Sequence, residues 1–149
     1  MSAIHSRPAN ILLVEDNPGD VVLTKHAFND AKIHNIINVA QDGEEALDYL
    51  FKRNGHEDAS TPDLILMDLN MPKKDGREVL EEIKRDERLM LIPVVILTSS
   101  EAEQDILETY GLHANSYITK PVDLSKFSHI VSVVENFWFS VVVLPPAGS

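Results

Sequence analysis

Short apolar bursts alternate with amphipathic stretches along the chain, and this alternation limits the possible folds more than any other feature. Ile11-Leu12-Leu13-Val14 reads as a buried strand that stops at Glu15-Asp16-Asn17-Pro18. From Asp20 to about Ala31 a helical period places Leu23, Thr24, Ala27, Phe28 and Ala31 on one face. Ile36 to Ala40 reads as a second strand, and Asp42-Gly43 opens a helix carrying Ala46, Leu47, Leu50 and Phe51. After a polar loop from Asn54 to Pro62, Leu64-Ile65-Leu66-Met67 forms a fully apolar strand ending at Asp68. Gly76 leads into a helix with Val79, Leu80 and Ile83 inward. Pro93 to Leu97 is the fourth strand, followed by Thr98-Ser99-Ser100 and a helix from about Glu101 to Gly111. Ser116-Tyr117-Ile118-Thr119 is the fifth strand, and a last helix runs from near Asp123 to about Trp138.

Five apolar strands alternating with five helices imply a parallel sheet covered on both faces. Right-handed crossovers make it an open, doubly wound α/β fold. Both common strand orders put strand 1 inside the sheet and the ligand crevice at the carboxyl ends of the strands, beside the switch point. The residues just past those ends are Glu15 and Asp16, Asp68, Thr98 and Lys120. Three acids, a hydroxyl and a lysine are thus expected on one rim.

The remaining composition narrows the function classes. With 149 residues, no repeat and no linker, the chain is expected to be one domain, its core spanning about 10–138 with a tail over 139–149. A hydrophobic fraction of 44% with 25% charged residues is ordinary for a globular chain. No apolar run approaches the ~20 residues of a membrane span, and residues 1–10 lack the apolar core of a signal peptide. Cysteine is absent, which excludes disulfides and thiolate metal sites, so a cytoplasmic location is expected. A formal net charge of −11 disfavours nucleic-acid binding, and the Lys73-Lys74 pair is more simply a solvated surface. The six histidines are scattered without metal-ligand spacing.

The rim has its own chemistry. At ~4 Å and an effective dielectric near ~20, each like-charged pair of carboxylates costs about 4 kcal/mol. Lys120 alone cannot offset that, so protons or a divalent cation must complete the site. Oxygen ligands suit a hard ion, and magnesium, held by one or two carboxylates plus waters and a phosphate, is the natural occupant. Each residue taken singly has a bland explanation: an acid capping a helix, Thr98 as an N-cap, Lys-Pro as a turn. The joint pattern on four strand ends is harder to explain that way.

Leu13-Val14-Glu15-Asp16-Asn17, Met67-Asp68-Leu69-Asn70-Met71-Pro72 with Asp75-Gly76, Leu97-Thr98-Ser99 and Tyr117-Ile118-Thr119-Lys120-Pro121 resemble the receiver domain of two-component signalling. The resemblance runs from about Ile11 to Trp138. It implies a flavodoxin-like sheet of order 2-1-3-4-5, with a short apolar C-terminal extension. It further implies that Asp68 is the phosphoacceptor, taking a phosphoryl group from a histidine kinase. Asp16, Asp68 and the Asn70 carbonyl would ligate Mg2+ directly, with Mn2+ or Ca2+ as substitutes, and Glu15 would act through a coordinated water. Thr98 and Lys120 would bind phosphoryl oxygens, Lys120-Pro121 would be a cis bond, and Thr98 with Tyr117 would form the switch. Such a domain promotes its own phosphorylation and slow dephosphorylation and is not an enzyme in the ordinary sense.

The short tail after the last helix is expected to leave no room for an output domain, so output is expected through protein contacts with an unknown downstream partner. On the last helix Leu124, Phe127, Val131, Val134 and Trp138 form one stripe, while Ile130, Val133 and Phe137 form a second. With the apolar tail carrying Phe139, Val141 and Val143, the second stripe is expected to form a homodimer interface, the alternative being a tail folded back over its own domain. Among receivers, the run from Asp68 to Leu80 and the ending Glu135-Asn136-Phe137-Trp138-Phe139 resemble the response regulators of cyanobacterial phytochrome kinases. That resemblance implies a phytochrome-type kinase, expected to dock near Pro18, Val22 and His26. Two rivals fit less well: a flavin module needs a neutral phosphate loop where Glu15-Asp16-Asn17-Pro18 is acidic, and a phosphohydrolase needs a second acid where Asn70 stands. A receiver-shaped docking module independent of phosphorylation is the remaining alternative.

Overall fold

The computed structural model describes residues 8–30, 35–71, 73–99, 108, 111, 114, 116–120, 122–123 and 125–126. The elements are β1 (Ala9–Val14), α1 (Pro18–Asp30), β2 (Asn35–Ala40), α2 (Gly43–Leu50), β3 (Leu64–Asp68), α3 (Gly76–Arg85), a 3-10 turn at Leu89–Leu91, β4 (Val94–Thr98) and β5 (Ser116–Thr119). The five strands form one sheet of order β2-β1-β3-β4-β5, and every pair is parallel. The doubly wound architecture and the order 2-1-3-4-5 are therefore present. Most of the fourth helix, Pro121, the last helix beyond Lys126 and the tail lie outside the described residues. The dimer expectation on Ile130, Val133, Phe137, Phe139, Val141 and Val143 lies outside them too, as does the Lys120-Pro121 bond.

Strand side chains alternate between faces, and each face collects its own core. Ile11, Leu13, Leu64, Leu66, Val95 and Leu97 pack on one side with Ala27 and Phe28 of α1. Leu12, Val14, Ile65, Met67, Val94 and Ile96 pack on the other with Ala46, Leu47 and Leu50 of α2 and Val79, Leu80 and Ile83 of α3. β1, β3 and β4 are buried on both faces, which is why their sequences read as unbroken apolar runs.

The helix starts follow capping chemistry. Pro18 opens α1, where its missing N–H costs nothing, and Asn17 Oδ1 accepts from the Asp20 backbone N–H. Asp42 caps α2 by accepting from Glu45, and Asp75 with Glu78 forms a capping box on α3. Arg88 donates to the Leu50 carbonyl and so satisfies the end of α2. One expected face needs correction: Leu23 is 46% exposed, and α1 buries Thr24, Ala27 and Phe28 with Val21 half-buried beside them. The helix begins two residues earlier than the apolar period suggests, because Asn17 and Pro18 set its first turn.

The loop from Leu69 to Asp75, which follows β3, is held at several points. The Gly76 N–H donates to the Leu69 carbonyl at 2.8 Å, and Lys74 Nζ pairs with Glu82 at 2.6 Å. A Cβ on Gly76 would stand 2.8 Å from Leu69 Cα and 2.9 Å from the Asp68 carbonyl oxygen, so the start of α3 can approach the end of β3 only with glycine. Gly43 is similar: a Cβ there would overlap the Lys74 carbonyl. Gly43→Ala is therefore expected to destabilise the fold by about 1–3 kcal/mol through overpacking. Urea unfolding would show this as a lower midpoint, whereas an unchanged midpoint would mean that α2 can back away from the loop.

Candidate functional site

The strand register brings the predicted residues to one rim. Val14 pairs with Met67, Asp68 with Leu97, and Thr98 with Thr119, so the strands end nearly level. Backbone bonds continue one residue further: Glu15 N–H to the Ala40 carbonyl, Leu69 N–H to Leu97 and Lys120 N–H to Thr98. Glu15 and Lys120 are thus anchored by the sheet even though they stand just outside it.

Side-chain alternation then divides the rim. Glu15 follows Ile11 and Leu13, Asp68 follows Leu64 and Leu66, and Lys120 follows Ile118, so all three continue the α1 face. Thr98 continues Val94 and Ile96, and Tyr117 packs against that same core on the opposite face.

On the α1 face the acids converge. One carboxylate oxygen each from Glu15, Asp16 and Asp68 lies within 4.8 Å of the others. Glu15 is 1% exposed and Asp68 6%, while Asp16 stands at the exposed mouth. The two oxygens of Asp68 have separate partners: Lys120 Nζ donates to Oδ2 at 2.8 Å, and the Asn70 N–H donates to Oδ1 at 3.1 Å. Lys120 Nζ also donates to Asp20 Oδ2 at 2.9 Å. Its third neighbour, Glu15 Oε1, is 2.9 Å away but is not aligned for a hydrogen bond. Glu15 Oε1 therefore has charge contact without a directed donor.

The protonation equilibria reflect this crowding. Burial pushes the Glu15 carboxyl up from 4.5 to about 7, a rise that Asp68 reinforces and that Lys120 only partly offsets. Burial pulls the Lys120 ammonium down, but its hydrogen bonds to Asp68 and Asp20 and the nearby charge of Glu15 together outweigh that pull, and the net shift is upward. Lys120 is therefore firmly charged, and Glu15 is poised to exchange its proton for another cation. An orphaned buried oxygen within a set of carboxylates suits a hard divalent ion, so Glu15, Asp16 and Asp68 can hold a divalent metal.

The structure thus joins Glu15, Asp16, Asp68 and Lys120, with Thr98 buried beneath the same rim at the end of β4. Asn70 is exposed and reaches Asp68 through its backbone N–H. Tyr117 is half-buried, and its hydroxyl accepts from the Ala114 N–H at a long 3.4 Å. Pro18, Val22 and His26 form an exposed stripe on α1, with Val22 65% exposed. Sequence reading missed Asp20. It lies inside the first turn of α1 and not at a strand end, and the only available signal was its place one turn beyond Asp16.

The model of the response regulator receiver domain matches residues 11–132. Response regulator Rcp1 from a Synechocystis species is 42% identical over 147 residues, covering 99% of this chain and 100% of Rcp1. The structure of the Mn2+-bound form of Rcp1 superposes with a TM-score of 0.73 at 43% identity, over 93% of this chain and 99% of that one. The phosphorylated cyanobacterial phytochrome response regulator RcpA superposes with a TM-score of 0.74 at 48% identity, again over 93% and 99%. The family match runs through every rim residue from Glu15 to Lys120 and agrees with the sheet order, and on those grounds this chain belongs to the response regulator receiver domains.

Proposed function

We propose that this chain is a phosphoacceptor switch that takes a phosphoryl group on Asp68 from a histidine kinase of the phytochrome type, with magnesium as cofactor. The observation that carries the reading is the state of Asp68. It is a buried carboxylate at the end of the central strand, with one oxygen held by Lys120 and the other by the Asn70 N–H. The likeness to RcpA, a cyanobacterial phytochrome response regulator, supports the phytochrome partner, and output through protein contacts belongs to the same proposal.

In this reading an Asp68 oxygen attacks phosphorus, the bond from phosphorus to the kinase imidazole breaks, and the imidazole departs with its electron pair. The transition state is loose, so positioning and charge neutralisation carry most of the catalysis. Magnesium on Glu15, Asp16 and Asp68, with the Asn70 carbonyl, would neutralise charge on the carboxylates and the phosphoryl oxygens. Lys120 pairs with one phosphoryl oxygen and the Thr98 hydroxyl donates to another. Because Thr98 and Tyr117 share the face opposite to Asp68, a movement of Thr98 toward the phosphoryl group opens space beside Tyr117. The exposed α1 stripe of Pro18, Val22 and His26 is the proposed kinase contact. A cytoplasmic setting accords with this chemistry, and among the described residues no helix is long and apolar enough to cross a membrane.

Asp68→Asn is expected to take up no phosphoryl group from a small phosphodonor with magnesium. Its melting temperature should be no lower than that of wild type, because one of the crowded charges has gone. Intact-mass measurement decides the first point, and a variant still gaining one phosphoryl group would place the acceptor elsewhere.

Glu15 gives a pH signature in the metal-free protein. Its folded value of about 7 lies above the ordinary 4.5, so the native state holds this proton more tightly than the unfolded chain does. That contribution is complete below the lower value and is lost as the pH rises through the higher one. The stability difference between wild type and Glu15→Gln should fall by roughly 3 kcal/mol between about pH 4.5 and 8. Urea unfolding of both proteins across that range measures it, and a flat difference would show Glu15 to be ionised throughout.

A further inference from the structure

Three carboxylates surround Lys120 Nζ, at 2.8 Å for Asp68, 2.9 Å for Asp20 and 2.9 Å for Glu15. They are not equivalent. Glu15 and Asp68 belong to the acid set that can hold a divalent ion, and Asp20 does not. A cation arriving on Glu15 and Asp68 draws their oxygens toward itself and repels the ammonium, so those two contacts weaken when the metal enters. The Asp20 bond does not compete with the metal.

We infer that Asp20 is a positioning residue that keeps the Lys120 ammonium over the Asp68 carboxylate once a divalent cation occupies the acid pocket. The inference rests on the proposed phosphoacceptor role of Asp68. Asp20 is well placed for this task. Its backbone N–H is fixed by Asn17 Oδ1 at 3.1 Å, its carbonyl accepts from the Thr24 hydroxyl at 2.9 Å, and its side chain is 27% exposed. It therefore presents a charged acceptor from a rigid helical turn. A lysine ammonium has three N–H donors. Asp20 occupies one, and the remaining two, one of them now on Asp68, are left for the oxygens of an arriving phosphoryl group.

The experiment uses the full chain as wild type, Asp20→Ala and Asp20→Glu, in saturating magnesium. Two quantities are read: the proton–nitrogen NMR correlation of the Lys120 ammonium, visible only while its protons exchange slowly, and the phosphorylation rate with acetyl phosphate. Wild type should keep the correlation and Asp20→Ala should lose it, with phosphorylation slowed about tenfold, as expected for loss of one charge-assisted hydrogen bond. Asp20→Glu should recover both. The magnesium concentration for half-saturation should move by less than about threefold, because Asp20 is outside the metal set.

An Asp20→Ala protein with the wild-type correlation and rate would overturn the inference. Equal slowing in Asp20→Ala and Asp20→Glu with the correlation intact would also overturn it, assigning Asp20 to helix structure alone. A tenfold or greater weakening of magnesium would overturn it by making Asp20 a ligand. If wild type accepts no phosphoryl group, the Asp68 reading fails, and the Lys120 correlation still decides the role of Asp20.

Discussion

Parallel strands all finish at one edge of their sheet, and here that edge gathers acids from β1, β3 and α1 around a single ammonium. In isolation the carboxylates would repel by several kcal/mol for each close pair. The fold tolerates them because Lys120 is fixed by its own backbone bond to the Thr98 carbonyl and stands within 2.9 Å of three of them. The anchoring of β5 beside β4 is thus also the anchoring of the counter-charge. Among the described residues one ammonium for the four carboxylates of Glu15, Asp16, Asp20 and Asp68 leaves the rim electrostatically incomplete, and this incompleteness makes it a receptor for metal.

Glu15 is where the incompleteness is stored. It is the most buried of the acids, its Oε1 lacks a directed donor, and burial raises its carboxyl to about 7. A proton can fill the gap near neutral pH, and a divalent ion can fill it by displacing that proton. Aspartate at this position would have a shorter reach from the same backbone.

Much of this was legible in the sequence because it follows from position along strands. The five apolar runs gave the sheet, and reading one residue past each run located Glu15, Asp68, Thr98 and Lys120. The same period of two, carried past the strand ends, separates Asp68 and Lys120 from Thr98 and Tyr117, and it could have been drawn from sequence alone. The helix faces were less legible. Leu23 fits the core stripe by periodicity, yet α1 packs through Thr24, Ala27 and Phe28 with Val21 beside them and leaves Leu23 facing outward. Asp20 was hidden because its partner is 100 residues away, and only the packing of α1 against the sheet brings them together. Arg88, reaching across 38 residues to the Leu50 carbonyl, escaped for the same reason.

The placement of Asp20 has a consequence for how the rim communicates. Asp20 lies two residues before Val22, on the same helix whose outer side carries the exposed stripe of Pro18, Val22 and His26. The charge at Lys120 is therefore tied through one hydrogen bond to the helix that would meet a partner. In the proposed switch a phosphoryl group that drew Lys120 toward itself would change the load on Asp20, whose own backbone is held by Asn17 and Thr24. On the other face Thr98 and Tyr117, which packs against the second core, are the residues proposed to respond to the same phosphoryl group. In the proposed switch one covalent event would thus reach both faces of the sheet by different routes, an ammonium on one and a hydroxyl on the other.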